Sequence, residues 1–162
     1  MQTITEFIVE YVEEDLYFVF FDWNGNHGND FFDGNMAFRK EVLAAVLAET
    51  DNANLLLVRD LYRAETQFSR EAWCIDTRVG RLAQLLLTQG GSAFLEDYLE
   101  GRLQSFDAWC AASNAPHTPE LGRQMLAEVE HRMATSPDEK QRSLLESGRE
   151  IFARWAQGTQ SS

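Results

Sequence analysis

The sequence predicts an all-α fold, a compact bundle of about six or seven helices joined by short loops. Three observations lead there. Apolar residues recur at three- and four-residue spacing through most of the chain. Brief turn signals separate those stretches. Pro116, Pro119 and Pro137 all fall in the last third, so the rest of the 162 residues is free of that helix breaker. The length suits a single globular domain spanning 1–162, and a hydrophobic share of 44% with 11 Phe and 4 Trp supplies a core.

The first element, 4–22, carries Ile4, Phe7, Ile8, Tyr11, Val12, Leu16, Val19 and Phe20 at helical spacing. Its rival is a β-hairpin with strands near 4–12 and 16–22, because Leu16 to Phe21 is rich in aromatic and β-favouring residues. Residues 22–34 are dense in Gly, Asn and Asp and read as a loop. A helix over 36–49 follows, with Asn35 as N-cap and Val42, Leu43, Val46 and Leu47 facing inward. After the Asp51-Asn52 turn comes a long helix over 53–73, with Leu61, Phe68 and Trp73 along its inner face. A helix over 78–89 stops at Gly90-Gly91. Ser92 caps a helix over 92–112 with Leu103, Phe106 and Trp109 inside. Thr118-Pro119 opens a helix to about 134, and Ser136-Pro137-Asp138-Glu139 opens the last, to about 156. Residues 158–162 form a tail expected to fray.

Charge narrows the function classes. Of the formal charge of −12, residues 1–34 hold Glu6, Glu10, Glu13, Glu14, Asp15, Asp22, Asp30 and Asp33 with no Lys or Arg. Such a field repels nucleic acids and anionic membranes and favours a basic protein partner or cations. No apolar run approaches the roughly 20 residues of a membrane span, and no signal peptide is visible, so a cytoplasmic location is expected. Cys74 and Cys110 lack zinc or disulfide-scaffold spacing and read as buried free thiols.

The loop offers a motif. Asp22, Asn24, Asn26 and Asp30 place oxygens at alternate positions, with Asp33 twelfth counting Asp22 as first, in a stretch that resembles the calcium loop of an EF-hand. It departs from that pattern at its sixth position (His27, not Gly), its eighth (Asn29, not aliphatic) and its twelfth (Asp33, not Glu). Calcium is thus the one candidate cofactor, with Asp22, Asn24, Asn26 and Asp33 as ligands, and a solvated acidic loop is the plainer reading. Glu128-x-x-His131 has di-iron spacing, but only three histidines occur and the second motif is missing. Glu65 and Asp107 fall among apolar neighbours, where a carboxylate becomes a tuned acid or, more often, half of a structural ion pair. No nucleophile elbow or phosphate loop is present.

The leading expectation is a non-enzymatic protein-binding module, such as an immunity or antitoxin-type inhibitor of a basic partner. Glu10, Glu13 and Glu14 would steer encounter, and Tyr17 and Trp23 would serve as anchors. A cation-binding protein using 22–33 and an enzyme using buried carboxylates are the alternatives.

Overall fold

The structure, a computed structural model, describes residues 3–158. Eight α-helices occur among them: α1 Ile4–Glu10, α2 Met36–Ala48, α3 Leu55–Ala72, α4 Val79–Gly90, α5 Leu95–Arg102, α6 Phe106–Ser113, α7 Pro119–Thr135 and α8 Glu139–Ala156. Among the described residues the only β pairing is a single bridge, Trp23 to Asp33. This is an all-α bundle. No helix of the described residues is long and apolar enough to cross a membrane.

Local signals set the helix starts. The side chains of Asn54, Thr118 and Asp138 each accept a backbone N–H from the first turn they precede. The core runs from α2 through α3, α4 and α5 to the α7–α8 pair. At its centre Tyr98 stacks on Tyr62 at 6.4 Å and meets Phe152 at 5.7 Å and Trp155 at 6.1 Å. Every polar tip in this cluster is bonded: Tyr62 donates to the Tyr98 carbonyl (2.9 Å), Tyr98 to that of Ala112 (3.0 Å) and Trp155 to that of Ser113 (3.2 Å). That satisfaction makes burial of three polar aromatics tolerable. Helices α7 and α8 run antiparallel, and Gly122 lets them close: a Cβ there would sit 2.3 Å from the Ala156 backbone nitrogen.

Four expectations are corrected. Segment 4–22 is neither one helix nor a hairpin: α1 ends at Glu10, and a 3-10 helix covers Glu13–Phe18. The break follows from anchoring of Tyr11, whose carbonyl accepts from Asn54 Nδ2 at 2.9 Å and whose hydroxyl donates to Asp60 at 2.8 Å. The helix expected over 92–112 is divided. A 3-10 turn at Gly91–Phe94 precedes α5, and Leu103–Ser105 separates α5 from α6, with Ser105 capping Ala108. That break rotates Leu103 (51%), Phe106 (77%) and Trp109 (36%) outward instead of into the core. Trp73 is likewise 78% exposed, because it closes α3 in the left-handed conformation (φ 55°) and leaves the inner stripe. Finally, Cys74 is exposed and Cys110 only partly buried, although both are free thiols as expected. Of the tail expected to fray, Gly158 closes the turn after α8, and 159–162 lie outside the described residues.

Candidate functional site

The N-terminal segment is held by a few side chains and leaves the rest outside. Thr3 and Glu6 form a reciprocal capping box at the start of α1. Phe7, Tyr11 and Val19 are its buried pegs. Between the last two pegs, Asp15 accepts the Val12 N–H at 3.1 Å and starts the 3-10 helix, none of whose residues is buried. Glu10, Glu13 and Glu14 are therefore exposed, and so are Tyr17 (72%) and Phe18 (50%), in edge contact at 5.8 Å. Val9 (76%) and Val12 (48%) extend the apolar share of this surface. Arg59 reaches it, 3.7 Å from Glu13, but is bound more closely to Asp60 at 2.9 Å.

The neighbouring loop closes on itself. The Asn24 N–H donates to the Phe32 carbonyl and the Gly34 N–H to that of Asp22, both at 3.0 Å. The Asn24 side chain donates to the Asp30 carbonyl and accepts from the N–H groups of Asn26 and Phe32. Trp23 donates to the Asn26 carbonyl at 2.8 Å, and its ring stacks on Phe21, so it is partly buried and braces the loop. At the tip, His27 lies against Trp23 and Trp73, with Nδ1 3.1 Å from the Glu71 carbonyl.

Asp33 carries the loop inward. Its fully buried carboxylate receives Arg39 Nη2 at 2.6 Å and the backbone N–H groups of Asp22 and Asn35, both at 3.2 Å. Arg39 also donates to Glu65 at 2.7 Å and to the Phe20 carbonyl at 3.2 Å. Burial drags the Arg39 pKa down, but the two carboxylates more than offset it and hold it above the ordinary arginine value. A sealed guanidinium flanked by two carboxylates is a structural clamp. In the same way Tyr11 stays protonated well above the usual tyrosine range, first through burial and then through Asp60.

Of the predicted metal ligands, Asp33 is thus committed to Arg39 and the Asn24 side chain to the loop's own hydrogen bonds, whereas Asn26 is held there through its backbone groups and Asp22 is exposed. Among the described residues no group of three or more His, Cys, Asp or Glu side chains converges as a metal site. Glu128 is taken by Arg132 at 2.6 Å. Of the predicted partner-binding residues, Glu10, Glu13, Glu14 and Tyr17 share one exposed segment, whereas Trp23 stands apart in the loop. Sequence reasoning missed Arg39. Its signal was present, because Met36, Arg39, Leu43 and Val46 fall on one helical stripe.

No protein-family model, curated protein or solved structure matches this chain.

Proposed function

We propose that the chain is a non-enzymatic binding module whose acidic, aromatic N-terminal face receives a basic protein, as an immunity or antitoxin-type inhibitor does in the cytoplasm. One observation carries the reading: Glu10, Glu13, Glu14, Tyr17 and Phe18 are all exposed on a segment that contains no base. Fixed carboxylates raise the encounter rate with a cationic surface, and exposed aromatic rings supply the desolvated contacts that keep it. The surrounding polar bonds hold this arrangement in place, which lowers the ordering cost of association. The overall charge of −12 disfavours nucleic acid and anionic membranes as partners. The reading needs no cofactor.

The test is a stopped-flow measurement against the basic protein that the immobilised chain retains from its host. Reversing Glu10, Glu13 and Glu14 to Lys should slow association by about tenfold or more at low salt, with the melting temperature nearly unchanged. An unaltered association rate would remove this face from the interaction.

A further inference from the structure

Arg102, the last residue of α5, is only 4% exposed. Its Nε donates to the Ser113 hydroxyl at 2.9 Å and its Nη1 to the Ser147 carbonyl at 3.0 Å. Both acceptors are neutral, and no carboxylate of the described residues forms an ion pair with this guanidinium. This contrasts with Arg39, which is flanked by two carboxylates. Desolvation depresses the Arg102 pKa; Tyr98, Tyr62 and, more weakly, the Glu150 carboxylate oppose that shift, Arg154 adds to it, and the net direction is down. A buried cation with no carboxylate in direct contact is costly, and such a charge commonly marks a place where an anion belongs.

Arg102 lines an open cavity of about 340 Å³ together with Leu103, Ser105, Phe106 and Trp109. The guanidinium carbon lies 5.2 Å from the Trp109 ring centroid, and Phe106 stacks on Trp109 at 6.2 Å. Nη2 makes no hydrogen bond among the described residues and is not among the fully buried unsatisfied atoms, so it keeps some contact with solvent. The Ser105 hydroxyl is already engaged with Ser69 and with the Ala108 N–H. The neighbouring carboxylate, Asp107, lines a different cavity with Arg81 and Cys110. The cavity therefore combines a cation that lacks a direct ion pair with two aromatic walls.

We propose that this cavity binds a carboxylate carried on an apolar or aromatic body, with the carboxylate on Arg102 Nη2 and the body against Phe106 and Trp109. A guanidinium matches a carboxylate in charge and planar geometry. The rings and Leu103 are otherwise exposed apolar surface, which such a body would cover. The carboxylate could belong to a free aromatic acid or to the C-terminus of a peptide ending in an aromatic residue.

Titration of the full chain with phenylacetate, followed by tryptophan fluorescence and backbone NMR shifts, tests the site. Saturable binding is expected, with phenylacetamide about tenfold weaker or worse because it lacks the charge. Phe106→Ala should weaken phenylacetate binding by a similar factor without moving the melting temperature, since this ring is exposed. Arg102→Gln should abolish the preference for acid over amide; if that variant does not fold, the phenylacetamide comparison and Phe106→Ala still decide. Gly-Gly-Phe with a free or an amidated terminus identifies the source: binding of the free form alone supports a chain terminus, and binding of phenylacetate alone supports a small acid. Equal affinity for phenylacetate and its amide, or no saturable binding by either acid, overturns the proposal.

Discussion

Residues 3–34 and the α7–α8 pair solve the same problem in opposite ways. The pair consists of helices of 17 and 18 residues, each burying a periodic stripe, with Gly122 allowing close approach. Its geometry follows from area and shape. The N-terminal segment has a seven-residue helix, a six-residue 3-10 helix and a loop, and three of its apolar side chains, Phe7, Tyr11 and Val19, are buried. It is positioned by directed polar bonds: Asp33 to Arg39, Tyr11 to Asp60, and Asn35 to the carbonyls of Tyr17 and Phe20. Burial by periodicity uses up apolar surface, whereas anchoring by a few bonds leaves Val9, Tyr17, Phe18 and Phe32 in solvent. The second way is the one that leaves apolar surface open.

The contrast can be broken at its strongest point. Arg39→Met leaves Asp33 and Glu65 buried without their cation and should cost about 3–5 kcal/mol in urea unfolding. A loss below about 1 kcal/mol would mean that the clamp does not hold the segment. On the other side, Gly122→Ala forces a Cβ against the α8 backbone and should cost about 1–3 kcal/mol by overpacking. The N-terminal pegs should respond independently of that change. Tyr11→Phe removes the bond to Asp60 and should cost about 1 kcal/mol at neutral pH.

The same tyrosine sharpens the comparison through pH. Tyr11, Tyr62 and Tyr98 all have folded pKa values raised by burial. The unfolded chain loses those protons first, so their contribution is complete below about pH 10 and declines as pH rises from there towards the folded values. Thermal melts from pH 8 to 11 should show that decline, and Tyr11→Phe should make it shallower; a flat profile would contradict the buried setting. The smallest expected effect is none at all. Because Asp33 already serves Arg39, calcium in excess over chelator should leave the melting temperature unmoved, and a rise of a few degrees would restore residues 22–33 as a cation site.

Periodicity explains why so much of the bundle was legible. The helix read over 36–49 is Met36–Ala48, that over 78–89 is Val79–Gly90, and that over 118–134 is Pro119–Thr135. The Thr118 cap is local chemistry, visible in one dimension, whereas Asn35, read as a cap, turns its side chain to the carbonyls of Tyr17 and Phe20, and Phe94 rather than Ser92 precedes α5. The break after Arg102 was not legible. Gly101 packs under the Tyr62 ring, where a Cβ would lie 2.3 Å from a ring carbon, a contact made 39 positions away. Without that contact, Phe106 and Trp109 continue an apolar stripe on paper. The N-terminal segment failed for the same reason, since Asn54 and Asp60 decide where α1 stops. At the site, the exposure of Glu13 and Tyr17 matched the charge pattern, but the pairing of Asp33 with Arg39 depends on the loop folding back.

The clamp also sets a schedule. Arg39 needs one carboxylate six residues before it and another 26 residues after it. On a ribosome adding about 5–20 residues per second, the proposed binding face therefore waits seconds for α3 to be made. Through that interval its valines and aromatic rings travel on a segment, residues 1–38, that holds acids and no Lys or Arg. The carboxylates that would later attract a partner meanwhile keep these young chains from adhering to one another.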